Sequence, residues 1–175
     1  MKSVLAILVL VFAVRFCAGG ELQKSHAAQS KGDATNVLGK FTAAEITEVG
    51  LERTPCFGTC PIYSVIFAKD GTVRYHGGRF AARTNDWTGR ISGESFAEVA
   101  PLIAESFPDF VTRYFTPITD HSTVLTMVAA NGKRKVISNY ANSGPDKLKQ
   151  IEKRLTDLLA TVKWNEPALK KEPIQ

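Results

Sequence analysis

The sequence predicts an α+β domain in which an antiparallel sheet, built in the order ββββ-α-ββ-α, carries two helices packed on one face. Three observations carry that expectation. Hydrophobic residues alternate over short runs between positions 46 and 76 and again between 123 and 139, the period of half-buried strands. Lys69-Asp70-Gly71 and Asn131-Gly132 are turn signals that fold these runs into hairpins. Two longer segments, near 93–106 and 144–162, repeat apolar residues at helical spacing, and hairpins and helices are segregated rather than alternating as βαβ units.

The first strand is expected over 46–53, with Val49 and Leu51 on one side and Glu48 and Glu52 on the other. Next comes a hairpin over 62–68 and 72–76. A three-residue loop with Gly71 left-handed sets Phe67 against Val73 and Val65 against Tyr75, and places Tyr63, Val65, Phe67, Val73 and Tyr75 on one face. A two-residue loop would set Phe67 against Arg74. A short strand is expected over 87–91, with Arg79, Arg83, Arg90 and His76 near it. These basic residues form either an exposed polar edge or an anion-binding surface, to which Asp120 and His121 are added as candidates.

Ser92 is the N-cap expected for the first helix, in which Phe96, Val99, Ala100, Ile103 and Phe107 recur. Pro101 lacks a backbone donor and sits well inside, so a kink or break is expected near 97–100. The aromatic stretch 107–115 is expected to cap the core. The second hairpin has a basic tip at Lys133, Arg134 and Lys135. Ser143 or Gly144 should cap the second helix, with Pro145 in its first turn and Leu148, Ile151, Leu155, Leu158 and Val162 along its core side. Lys147, Lys149, Lys153 and Arg154 then belong to a solvated side.

The stretch Arg53-Thr-Pro-Cys-Phe-Gly-Thr-Cys-Pro-Ile-Tyr63 constrains the chain most. A bond between Cys56 and Cys60 closes a short loop around Gly58, while Pro55 and Pro61 bias the residues before them toward extended geometry. Redox chemistry would favour Cys-x-x-Cys opening a helix; here the spacing is one longer and a strand follows. Zinc could recruit both cysteines with His76 and His121, but the usual second short-spaced ligand pair is missing. Asp120-His121-Ser122 carries the residue types of a hydrolase, yet in an extended segment neighbours point to opposite faces. Neither a phosphate-binding glycine loop nor a G-x-S-x-G turn occurs. No metal, cofactor or catalytic residue is assigned.

This stretch, followed by the hairpin at Asp70-Gly71, resembles an uncharacterised bacterial domain family with a CFGxCPxY signature found in exported and envelope proteins. The resemblance runs through Thr119-Asp120, the Asn139-Tyr140 pair and Trp164, over roughly residues 44–165. Family members usually carry proline after that Asp and a second acidic residue before that Tyr, where this chain has His121 and Asn139. The resemblance implies a domain boundary and a compartment, and no activity.

Composition agrees with one globular domain: 175 residues, 44% hydrophobic. Residues 1–20 read as an export signal, with an apolar run over 4–14 and small residues at Ala18-Gly19-Gly20. That run is too short for a bilayer, which takes about 20 residues. Arg15 and Phe16 stand where a lipid-attachment site at Cys17 would carry small or aliphatic residues. Cleavage after Gly20 removes Lys2, Arg15 and Cys17, so the net charge falls from +5 to +3 and two cysteines remain. So mild a charge does not announce nucleic acid. Residues 21–43 are expected as a flexible linker containing His26, 44–164 as the domain and 165–175 as a disordered tail.

The resulting expectation is a periplasmic or secreted interaction module that binds an envelope protein or an anionic envelope polymer. The alternative is a small thiol-active or other enzyme centred on the Cys56–Cys60 loop.

Overall fold

The computed structural model describes residues 38–165. The expected export signal, most of the linker and the tail beyond Asn165 lie outside them.

Alternation produces the first strand, β1 (Ile46–Arg53), and the hairpin of β2 (Tyr63–Ala68) and β3 (Thr72–Gly77). The hairpin has the three-residue loop: Phe67 faces Val73, Val65 faces Tyr75, and Gly71 is left-handed at φ +83°. Asp70 accepts the amide of Thr72 at 2.8 Å, an Asx turn that closes the reversal. A bulge at Thr47 shifts the pairing of β1 with β6 (Thr123–Ala130), so Ile46 and Val49, three residues apart, are both buried.

β4 (Asn85–Arg90) pairs with β3, starting two residues before the expected 87–91. After α1 (Gly93–Ser106) comes the two-residue β5 (Arg113–Tyr114), then β6, β7 (Lys133–Tyr140), α2 (Asp146–Ala160) and a two-residue β8 (Lys163–Trp164). The sheet runs β5-β7-β6-β1-β2-β3-β4-β8 and is antiparallel except where β5 joins β7. The expected ββββ-α-ββ-α order therefore lacks both edge strands and the one parallel pairing. Two-residue pairings leave too little periodicity to be read from sequence.

Buried positions of the central strands form one core with Phe96, Val99, Ala100 and Ile103 of α1 and Leu148, Ile151, Leu155 and Leu158 of α2. The helices do not cover that core alone. Phe107 joins it fully buried, as do Leu38 and Phe41 from the end of the stretch expected as linker. At the other end Asn165 is still held, its amide donating to Thr88 at 3.0 Å.

Two helix expectations need correction. Of the kink or break expected near 97–100, there is no break: α1 runs continuously through Pro101. α2 begins after Pro145, which occupies the cap position without a capping side chain; neither Ser143 nor Gly144 caps it.

Lys135 also departs from the expected basic tip. It is buried on β7, and its ammonium donates to the carbonyls of Phe107, Pro108 and Phe110 at 3.0, 2.8 and 2.6 Å. Burial pulls its pKa down, while Asp109 pushes it up. The lysine supplies donors to the carbonyls beyond the C-terminus of α1, where the chain turns; that of Phe107 also takes the backbone amide of Phe110 at 3.4 Å.

Cys56 and Cys60 are bonded, with Cα atoms 5.7 Å apart.

Lys135→Met keeps the stem and deletes the three donors, so we expect a loss of about 2–3 kcal/mol in denaturant unfolding; an unchanged midpoint would mean water serves those carbonyls equally well. Reduction of Cys56–Cys60 should cost about 2 kcal/mol, the chain-entropy value for so short a loop. The melting transition should shift on adding reductant but stay cooperative, and complete unfolding would contradict a local brace.

Candidate functional site

Strand register gathers the candidate site at one end of the sheet. Side by side there stand Tyr63 on β2, Arg53 on β1, Val124 on β6 and Asn139 on β7, each pairing with the next. This row ends the apolar core: one step inward, Val65, Leu51 and Ile137 are buried. Arg53 donates from Nε to the Tyr63 hydroxyl at 3.2 Å.

Glu152 of α2 closes this row from above. It is only 6% exposed, and both its oxygens accept from Nδ2 of the buried Asn139 at 3.0 Å, with Thr126 Oγ1 more distant at 3.5 Å. Burial pushes its carboxyl above the ordinary value of 4.5; the Asn139 bond and the charges of Arg53 and Lys149 pull the other way. Asn139 uses its other end as well, accepting the amide of Gly144 at 2.7 Å.

Above this network opens a cleft of about 570 Å³ lined by Arg53, His121, Ser122, Lys149, Glu152 and Lys153, among others. Two of the residues expected on a solvated side of α2, Lys149 and Lys153, thus border the cleft, while Lys147 pairs with Glu105. They hold exposed partners there, Lys149 with Asp146 at 3.2 Å and Lys153 with Asp157 at 2.8 Å. Two of its walls, Ala141 and Asn142, are left-handed at φ +51° and +57°, and Asp120 beside it is at +70°.

Of the surface residues singled out by sequence, the structure places Arg79, Arg83, Asp120 and His121 in loops at this end, but in two regions. Arg83 belongs to the β4 side, its guanidinium over the rings of Trp164 at 4.9 Å and Trp87 at 5.4 Å. His121 precedes β6, four strands away, a separation of about 19 Å at the usual spacing. Arg90 is at the opposite end, donating to the Asp70 carbonyl at 3.4 Å. Arg90 therefore lies apart from the other four, and those four do not converge on one compact site.

Asp120-His121-Ser122 is not joined by hydrogen bonds among the described residues: Asp120 accepts from Thr119, and His121 and Ser122 line the cleft separately. His76 pairs across strands with Asp86 at 2.7 Å. Among the described residues no three His, Cys, Asp or Glu side chains gather as metal ligands, and no helix is long and apolar enough to cross a membrane.

Thr126 and Glu152 were not singled out from the sequence, while Arg53 and Asn139 entered only as members of the family-like stretches, without a role at a site. Glu152 had a signal: at 100° per residue it falls about 40° from Leu148, next to the apolar arc of its helix.

The linkage sign for Glu152 is fixed by its raised pKa. Folded protein keeps the proton over a window beginning near 4.5 in which the unfolded chain has released it. This stability contribution is complete below that pH and is lost as pH rises through the folded-state pKa. In urea titrations from acid to neutral pH, wild type and Glu152→Gln should agree at low pH and separate in favour of the variant as pH rises. Parallel profiles would remove Glu152 from the role of buried proton acceptor.

No curated protein and no solved structure matches the chain. A family model described as Domain of unknown function (DUF6438) matches residues 47–159, from within β1 to within α2. The matched span takes in the disulfide loop, Asn139 and Glu152, and the chain belongs to this family.

Proposed function

We propose that the chain is an exported, non-catalytic binding module of the bacterial envelope, and that the cleft beside α2 receives an anionic group of its partner. The observation that carries this reading is the cleft itself, where Arg53, Lys149, Lys153 and His121 line one opening. The acidic groups near it compete weakly with a ligand. Glu152 is buried and shifted toward its neutral form, and Asp146 and Asp157 form exposed pairs of the kind worth about 0–1 kcal/mol. The bonded cysteines and the unjoined Asp120-His121-Ser122 favour binding over turnover. Export is supported by the leader-like residues 1–20, on which reading the mature protein would begin near Glu21 and work in the periplasm or outside the cell.

Calorimetric titration with polyglutamate and with polyphosphate tests the cleft. At least one polyanion should bind, more weakly as salt is raised. The double variant Lys149→Gln, Lys153→Gln should lose about tenfold in affinity, near 1.4 kcal/mol. No binding by either polymer, or an unchanged double variant, would refute the assignment.

A further inference from the structure

The loops at the cleft end of the sheet carry a second feature, independent of the cleft. Among the described residues six large hydrophobic side chains are exposed, and four of them, Phe57, Phe80, Phe115 and Ile118, lie in these loops. Phe57 is 88% exposed at the tip of the disulfide loop. Phe80 sits in the β3–β4 loop, and Phe115 and Ile118 in the segment before β6. Burying an apolar side chain is worth more than leaving it in water, and the gathering of four of the six at one end of the sheet is what needs a reason.

Two further observations specify its chemistry. Phe80 is left-handed at φ +60°, a conformation costly for a bulky side chain, and it keeps half its surface in solvent. Two of the rings also carry their own cation: the guanidinium of Arg79 lies 4.9 Å from the centre of Phe80, and that of Arg113 lies 5.2 Å from the centre of Phe115. Neither arginine forms an ion pair among the described residues, whereas Arg74 and Arg134 on the sheet share Glu48. An exposed ring beside an uncommitted arginine, repeated on separate loops, matches the boundary between acyl chains and anionic headgroups.

We propose that this loop end docks on an anionic lipid surface, with Phe57, Phe80 and Phe115 entering the headgroup boundary and Arg79 and Arg113 contacting phosphate. A protein partner would need a separate shaped pocket for each ring. A bilayer accepts protruding rings at any spacing, and its negative surface complements the arginines. The acidic groups nearby are few: Asp120 accepts from Thr119, and Asp86 is paired with His76.

The test is flotation of the full chain with vesicles of phosphatidylcholine, with and without phosphatidylglycerol, combined with hydrogen exchange on the bound state. Binding should require the anionic lipid, and the loops at 54–62, 78–84 and 115–122 should gain protection while the opposite hairpin tips do not. Phe57→Ser should weaken binding about tenfold, as burying much of one ring implies. Phe80→Asn should weaken it comparably while melting no lower than wild type, because asparagine accepts the left-handed conformation. The lysine double variant of the cleft should show the same protected loops on bound vesicles, and Phe57→Ser should leave polyanion binding unchanged, so the cleft assignment and this one can fail separately.

Binding carried instead by the apolar run at 4–14 would leave these loops unprotected and both phenylalanine variants unchanged, and that result overturns the proposal. Dimers that Phe57→Ser dissolves, without vesicle binding, would assign the rings to a second copy of the chain and overturn it too.

Discussion

The buried amide of Asn139 is the interaction on which the arrangement of this domain most depends. It lies at the end of β7, accepts the amide of Gly144 just before α2, and donates to Glu152 two turns into that helix. One side chain thus fixes where the helix starts and how it sits on the sheet. The contact is close enough to dictate a neighbour: a Cβ on Gly144 would come within 2.8 Å of Leu148 and 3.1 Å of the Asn139 oxygen. A buried amide that satisfies both ends of its side chain is favourable, and one deprived of a partner is costly. Apolar packing supplies the driving force for docking α2, while this network selects one docking position.

Most of the sheet was legible because its residues obey a single local rule. Alternation placed β1, and the hydrophobic pattern with Asp70-Gly71 decided the β2–β3 register without tertiary information. Asn131-Gly132 has both residues left-handed, as its dipeptide requires. What escaped sequence reading depended on groups far apart in the chain. Lys135 looks like the third cation of a hairpin tip until one knows that three carbonyls near residue 108 need a donor. Glu152 is an ordinary polar residue until the helix lies over the strand, and Asn139, marked only by the family resemblance, gains its partners in the same way. Pro101 gave a local signal for a break that the continuous helix overrides.

The other face of the sheet argues by contrast for function at the loop end. There Ile66, Leu125, Met127 and Val136 line a shallow groove of about 330 Å³, with Arg134 and Glu52 at its border. Glu48 binds Arg74 at 2.6 Å and Arg134 at 3.4 Å, so charges bridge this face across several strands. Such a surface is protected against casual pairing, and strands of two residues at both edges blunt the sheet as a template. Backbone strain, by contrast, is concentrated. Among the described residues six besides glycine are left-handed: Phe80, Asp120, Ala141 and Asn142 lie in the loops at the cleft end, Asn85 opens β4 there, and Asn131 is at the opposite hairpin tip.

Strain of that kind persists only where the surroundings over-determine the backbone, and here the loops are tied to one another. The amide of Phe57 reaches the Asp120 carbonyl at 3.4 Å, Thr54 and Thr123 bond twice, and Ile62 donates to the Arg79 carbonyl at 3.0 Å. Tyr140 donates to Ile118 at 2.7 Å and stacks on Phe115, its ring centre 5.3 Å away. The disulfide braces the first of these loops from within. Loops linked in this way have less conformational freedom to lose on contact than loops free of one another. The short disulfide is then understandable: it adds little to global stability, but it holds a protruding ring on a rigid support. A small cleft and a few rings held on such braced loops would lose little conformational entropy in the roles proposed for them.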